Sequence, residues 1–323
     1  MKPIILFHCP QTELMARRII ANHSPHICPG DIQWRSFKDG WPNLRIVMED
    51  EDALVGRDVA FLAAFETPLD SVVQRWVMNA FGPYQARSLT AILPYFPPGT
   101  MDRKEEEGDI VTAMSLARDL SVMPSGVSLK NRIAMWDVHN KAEWHFFKGT
   151  TCLPIMTSAI PLLLKRLEAL PDKGDVSIVF PDEGAEKRFG NKFKGWPKII
   201  CEKKRDGNRR IVVIKEGDPR NRHCLIVDDL MQTGGTQDEC AKVLWSAAAK
   251  CISMYVTHLV APNDAWERFI TTDYRLEHFM ATDSCPWTVG KLMVGGGYQQ
   301  PFEVLSLDDL VVKKIMAVRK YFN

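Results

Sequence analysis

The residues best suited to chemistry stand together in Cys224–Asp238, CLIVDDLMQTGGTQD. Leu225–Val227 is an apolar run that reads as a buried strand, and it leads into two adjacent carboxylates, Asp228 and Asp229. Gln232 and the turn Thr233-Gly234-Gly235-Thr236 follow, and then a helical pattern. Glycines permit positive φ and let backbone N–H groups approach a ligand. A helix N-terminus adds its dipole, and Thr233 and Thr236 add hydroxyl donors. The turn therefore suits a phosphate. Carboxylates accept paired hydrogen bonds, so the two acids suit a vicinal diol. A ribose 5-phosphate satisfies both halves, with its hydroxyls on Asp228 and Asp229 and its phosphate on Gln232–Thr236. The plainer reading is a strand–turn–helix connection with acidic capping residues. It leaves a pair of ionised carboxylates at a strand end unexplained.

A second cluster is basic. From Glu186 to Arg222 there are 13 Lys and Arg against 5 Asp and Glu, a net of +8 in a chain whose total is +1. Lys203 and Arg205 sit inside it, in CEKKRDGNRR. Fixed cations there could stabilise charge that develops on a transferring polyphosphate. The plainer reading is a solvated hairpin tip, and RDGNRR does look like a turn. Phe189, Phe193 and Trp196 interleave with the basic residues, as in single-stranded nucleic-acid binders, but that reading gives the acids and the glycine turn no task. Asp182 and His139 each follow an apolar strand pattern. A carboxylate suits a hard cation, whereas a lone histidine at a strand end is more often a satisfied structural residue.

The elements that must hold these residues alternate. Pro3–His8, Asp58–Phe65, Leu89–Phe96 and Arg132–His139 read as strands, separated by amphipathic patterns at Glu13–Ala21, Pro68–Phe81 and Asp109–Leu120. The second half repeats the scheme: a helix at Thr157–Leu170, strands at Asp175–Asp182, Cys224–Leu230 and Cys251–Ala261, and a helix at Thr236–Lys250. Continuous apolar runs joined by helices argue parallel strands covered on both faces. That predicts an α/β protein of two similar halves, residues 1–152 and 153–323, with Leu307–Phe322 as a closing helix.

Composition sets outer bounds. The chain has 323 residues, 46% hydrophobic and 25% charged, as in globular proteins. Its near-zero net charge steers it to neither nucleic acid nor membrane. No apolar run approaches the roughly 18 residues that cross a bilayer. The eight cysteines form no C-x-x-C pair, so we expect reduced thiols and a cytoplasmic protein.

The stretch Val227-Asp228-Asp229 with Thr233 and Thr236 resembles the phosphoribosyl-diphosphate (PRPP) motif shared by type I phosphoribosyltransferases and PRPP synthetases. Further segments resemble the synthetases in order: Ser36–Trp41 (SFKDGW), Leu93–Gly108, Met135–Phe147 (MWDVHNKAEWHFF), Phe180–Arg188 (FPDEGAEKR) and the Lys203-x-Arg205 of CEKKRDG. The resemblance covers nearly the whole chain and is greatest to the plant-type second class. It implies two phosphoribosyltransferase-like domains, each a mostly parallel sheet flanked by helices, with the active site between them. It implies transfer of a diphosphate from ATP to the anomeric hydroxyl of ribose 5-phosphate, giving PRPP and AMP. Lys203 and Arg205 would be catalytic; Asp228, Asp229, Gln232, Thr233, Gly234, Gly235 and Thr236 would bind ribose 5-phosphate. Phe37, Asp39, Arg103 and His139 would bind ATP, and His139 and Asp182 would serve its Mg2+. In the family the Phe37–Asp39 loop belongs to a neighbouring subunit's site, which implies a homo-oligomer, at least a dimer. The alternatives are a phosphoribosyltransferase that consumes PRPP and a non-catalytic regulatory homologue.

Three departures from the family pattern stand out. Trp41 replaces an acidic residue, Thr100-Met101 replaces Arg-Gln, and Gln232 replaces an acid. The last removes a negative charge beside the 5-phosphate. The first two predict altered nucleotide selectivity and, as in the second class, less dependence on inorganic phosphate.

Overall fold

The computed structural model describes residues 2–99, 101–104, 106–124, 130–140, 145–147, 151–206 and 209–318, with the side chains of 205, 206, 209 and 210 outside it. Thr100 and the Arg205 side chain therefore lie outside the described residues. The chain divides into two compact units, Met1–Ser158 with Leu307–Asn323, and Ala159–Ser306. The first boundary thus falls after Ser158 rather than after residue 152. The closing helix belongs to the first unit rather than the second, which the expected division into two contiguous halves did not provide for.

In the first unit the described residues form a six-stranded sheet, β2-β1-β5-β6-β7-β8. Its strands are β1 (Ile4–His8), β2 (Ile27–Pro29), β5 (Asp58–Leu62), β6 (Ser88–Ile92), β7 (Asn131–Trp136) and β8 (Cys152–Thr157), all paired in parallel. Every residue of β5, β6 and β7 is buried, as parallel strands covered on both faces must be. The first unit's described helices before the second unit are α1 (Glu13–His23), α2 (Pro68–Ala80) and α3 (Thr112–Ser121). Thr67 caps α2 in a reciprocal capping box with Asp70. A separate antiparallel ribbon, β3 (Asp31–Ser36) and β4 (Pro42–Val47), carries the Phe37–Trp41 turn.

In the second unit the described residues form a seven-stranded sheet in the order β11-β10-β9-β12-β13-β14-β17. These are β9 (Val176–Phe180), β10 (Lys198–Asp206), β11 (Arg209–Glu216), β12 (His223–Met231), β13 (Cys251–Leu259), β14 (Leu276–Thr282) and β17 (Phe302–Leu305). The pairing is parallel except in the β10–β11 hairpin. Between β14 and β17 come α7 (Pro286–Lys291) and a small ribbon of β15 (Met293–Val294) and β16 (Gly297–Tyr298). Alternation along the strands divides the core into two layers. Leu225 and Val227 pack with Ile160, Leu163 and Leu167 of α4 (Ile160–Glu168) and Ala185 and Phe189 of α5 (Glu183–Phe189). Cys224 and Ile226 pack on the other face with Cys240, Ala241 and Leu244 of α6 (Gly235–Ser246).

The last helix, α8 (Asp308–Met316), buries Val311 and Ile315. Arg18 of α1 grips Asp308 with two hydrogen bonds, 2.7 and 2.9 Å. That clasp fastens the chain end to the first unit.

Candidate active site

The strand that carries the two acids outruns its neighbour. β12 pairs with β9 from His223 to Ile226, but with β13 as far as Met231. Asp228 and Asp229 therefore lie inside β12, past its pairing with β9, at the carboxyl end where ligands bind in open α/β sheets. Alternation sends the two side chains to opposite faces. Asp229 meets Arg188 of α5 in an ion pair and is nearly buried, 4% exposed against 16% for the arginine. Asp228 meets α6: its Oδ2 accepts from Gln237 Nε2 at 3.0 Å, and its Oδ1 accepts from the Asp229 N–H at 2.9 Å. Burial, then the charge of Asp229, then that of Asp182, push the Asp228 carboxyl well above the usual carboxylate range.

Asp182 belongs to the same corner. It follows β9 and is the N-cap of α5, its Oδ1 accepting from the Ala185 N–H at 2.9 Å. Its charge also helps to raise the Asp228 carboxyl, so Asp182, Asp228 and Asp229 belong to one neighbourhood.

The glycine turn opens α6 in the predicted way. Gly234 is its N-cap with φ 74°, the left-handed region that favours glycine. A Cβ there would fall 2.8 Å from the Phe269 ring and 3.0 Å from Arg268. At Gly235 the nearest atom to a Cβ would be Thr233 Oγ1, at 3.8 Å. Arg268 donates to the Thr233 carbonyl at 2.7 Å, and Tyr274 donates to Asp238 at 3.1 Å. The first turn of α6 thus leans on residues 35 and 36 positions later in the chain.

The basic segment is the β10–β11 hairpin, with Lys203 opposite Val212 and Arg205 opposite Arg210. Lys203 is exposed, and its Nζ donates to Thr236 Oγ1 at 3.0 Å. A cation from the hairpin therefore touches the hydroxyl of the glycine turn, two segments that the sequence separates by 33 residues.

The other predicted residues belong to the first unit. Phe37, 55% exposed, starts a turn in which its N–H donates to the Trp41 carbonyl. Asp39 Oδ1 accepts from the Trp41 N–H at 3.2 Å, so it shapes that turn. Trp41, where the family pattern has an acid, stacks on Trp76 of α2 with centroids 6.2 Å apart and planes 6° from parallel. Its replacement thus anchors the turn. His139 is half-buried beyond β7, after Asp137, whose φ is 35°. Arg103 is exposed next to the buried Asp102.

The structure brings Lys203, Asp182, Asp228, Asp229 and Gln232–Thr236 into one unit, and Phe37, Asp39, Arg103 and His139 into the other. Sequence reasoning gave no task to Arg188 or Gln237. Arg188 lies six positions after Asp182 on a short helix, and Gln237 directly follows the turn; both were inside or beside quoted motifs. Arg268 and Tyr274 had no sequence signal.

Residues 147–288 match the phosphoribosyl transferase domain family. The chain is 43% identical over 311 residues to ribose-phosphate pyrophosphokinase 3, chloroplastic, of Oryza sativa subsp. japonica, covering 95% of this chain and 74% of that one. It is 28% identical over 300 residues to the ribose-phosphate pyrophosphokinase of Mycoplasma genitalium, covering 90% and 84%. The crystal structure of phosphoribosylpyrophosphate synthetase from Mycobacterium smegmatis superposes with a TM-score of 0.81 at 22% identity, covering 99% of this chain and all of that one, so the fold is shared throughout. The greater likeness to the plant protein fits the plant-type features of the sequence. On these grounds the chain belongs to the ribose-phosphate pyrophosphokinase family.

Proposed function

We propose that this chain transfers the diphosphate of ATP to the anomeric hydroxyl of ribose 5-phosphate, giving 5-phosphoribosyl 1-diphosphate and AMP. The bond from the anomeric oxygen to the β-phosphorus forms, the bond from that phosphorus to the oxygen kept by AMP breaks, and the hydroxyl proton is released. The observation that carries this reading is the 3.0 Å contact between Lys203 Nζ and Thr236 Oγ1. It brings the hairpin that carries the proposed cations against the turn proposed to hold the sugar phosphate, so that those cations can stabilise charge on a diphosphate transferred to the same sugar. Arg205, the next position on the same face of β10, is proposed as its partner.

In this reading the sugar hydroxyls donate to Asp228 and Asp229. The 5-phosphate lies on Gln232–Thr236, where backbone N–H groups at the start of α6 and the two threonine hydroxyls donate to it. Arg188 and Gln237 hold the two acids to opposite faces of β12. Phe37 offers its exposed ring to adenine, Asp39 accepts from the adenine amino group, and Arg103 and His139 bind the nucleotide phosphates.

A magnesium ion is the proposed cofactor. The donor set fits at Asp182, a carboxylate among carboxylates and so a site for a hard cation. His139 is the second proposed metal residue; imidazole favours softer ions, so it would act on the phosphates or a metal-bound water as well. When bound, the ion neutralises polyphosphate charge and orients the transferred group. The exposed Phe37 turn supports a homo-oligomer, at least a dimer, in which a neighbouring subunit uses it. The free thiols fit a cytoplasmic setting. No helix among the described residues is long and apolar enough to cross a membrane.

The test is direct. Protein, ribose 5-phosphate, ATP and Mg2+ are mixed and AMP is quantified; no AMP overturns the reading, and EDTA is expected to abolish the signal. Repeating it with GTP and CTP, with and without inorganic phosphate, tests donor choice. Activity with more than ATP and without phosphate is expected, and strict ATP use with absolute phosphate dependence would refute it.

A further inference from the structure

Two thiols join the elements that carry the phosphate turn and the catalytic lysine. Cys240 on α6 donates its S–H to Cys201 on β10, with the sulfurs 3.6 Å apart and both residues fully buried. Cys201 lies two positions before Lys203, so the two share a strand face. Cys240 lies four positions after Thr236, so those two share a helix face. Cys201 also marks a structural break. β9 pairs with β10 over Lys198–Ile200, and the β10–β11 register shifts between Ile200 and Cys201. Beyond that break the hairpin pairs through β11.

We propose that Cys201 and Cys240 are an oxidative modification site, where a hydroperoxide converts the thiol pair into a disulfide that staples the hairpin to α6 and suppresses turnover. The effect on turnover rests on the proposed role of Lys203. Cys201 is assigned as the first to react, since the hydrogen bond from Cys240 favours its thiolate and disfavours that of Cys240, and the thiolate is the nucleophile. The Cys201 sulfur takes one peroxide oxygen, the O–O bond breaks, and the remaining oxygen leaves as water or alcohol with the thiol proton. The Cys240 sulfur then attacks the sulfenic sulfur, the S–S bond forms, the S–O bond breaks, and water leaves. Two thiols lose two electrons and the peroxide gains them. A dithiol reverses the change by exchange.

The consequence for catalysis is geometric. A disulfide holds its sulfurs at about 2.05 Å, so two sulfurs now 3.6 Å apart must close, through side-chain rotation and movement of the two elements together. Lys203 and Thr236, on the same faces, shift with them. Misplacement of a catalytic group by about 1 Å can lower a rate by about 10²-fold.

The full chain is treated with hydrogen peroxide, digested without reductant and mapped by mass spectrometry, while AMP formation is followed in parallel. A Cys201–Cys240 linked peptide is expected, with turnover at least about tenfold lower and restored by dithiothreitol. Cys240→Ala is expected to keep its turnover through the same treatment, and Cys201→Ala serves if that variant does not fold. Cys224, in the same core layer as both cysteines, and the half-buried Cys28 are the internal controls. Oxidation that maps to either of them, with no Cys201–Cys240 peptide, overturns the inference, as does a linked protein with undiminished turnover. Linkage is read by mass and the reaction by AMP, so an unlinked protein that still makes AMP refutes the staple alone.

Discussion

The two ends of β12 both carry polar residues in a mostly apolar sheet, and they treat them differently. At the amino end His223 is 2% exposed. Its Nδ1 donates to the Asp172 carboxylate at 2.8 Å, and in the neutral ring its Nε2 accepts from Ser253 Oγ at 2.8 Å. Both ring nitrogens are used, and the three groups bind the starts of β12 and β13 to the loop before β9. At the carboxyl end Asp228, Asp229 and Asp182 lie near one another, and burial first, then those neighbouring acids, raise the Asp228 carboxyl. One end spends its polar groups on itself and acts as scaffold. The other keeps an excess of acceptors that a sugar or a cation can relieve.

The comparison can be broken most forcefully at Arg188. Arg188→Leu removes the cation from a nearly buried carboxylate, which should cost about 3–5 kcal/mol. Urea denaturation at pH 7 measures it, and adding Asp229→Asn should recover most of the loss. If the double variant is as unstable as the single, the charge is not the cause. Next in size is Lys203→Ala. Turnover should fall by about 10²–10³-fold, equivalent to about 2.7–4 kcal/mol, with no change in Tm because Lys203 is exposed. A fall below about tenfold would remove Lys203 from the proposed chemistry.

The amino end provides the contrast. His223→Leu leaves the buried Ser253 hydroxyl without its ring partner, which should lower stability by about 1–3 kcal/mol while KM for ribose 5-phosphate stays unchanged. A raised KM would mean that the two ends are coupled. The subtlest test is the pH dependence of Asp228→Asn. A carboxyl whose folded pKa is raised favours the folded state fully below its unfolded pKa, about 3.9, and loses that contribution as pH rises toward the folded pKa. The wild type should therefore lose Tm relative to the variant as pH increases above about 4. Parallel Tm curves from pH 4 to 8 would contradict the shift. The variant should also lose ribose 5-phosphate binding, so stability and function part at this residue.

Much of this was legible in the sequence. The apolar runs of β9, β12 and β13 are buried throughout their first five residues, and continuous burial is what an unbroken apolar run reports. β8 escaped notice because Pro154 interrupts it; the strand lies at a sheet edge, where proline is tolerated. β14 was missed because its first three residues, Leu276, Glu277 and His278, are half-buried and mixed in polarity. α4 begins at Ile160, later than Thr157, with Pro161 in its first turn. α8 is held by the burial of Val311 and Ile315 and by Arg18, 290 residues away, and no local pattern encodes such a clasp. Within the site, Asp228, Asp229 and the glycine turn were readable because their spacing is local. The partners that hold them were not, because Arg188, Gln237 and Arg268 gain their tasks only when helices dock on the sheet.

Gly234 and Gly235 are identical letters with different mutational tolerance. In a saturation library, position 234 should reject every replacement at the level of folding, since both its φ and the Phe269 ring exclude a side chain. Position 235 has room for at least a methyl group, so alanine there should yield folded protein. In the proposed reading, the selection that then acts on residue 235 reports the ligand's shape and not the scaffold's. The pair thus separates, in adjacent codons, the demands of folding from the demands of substrate.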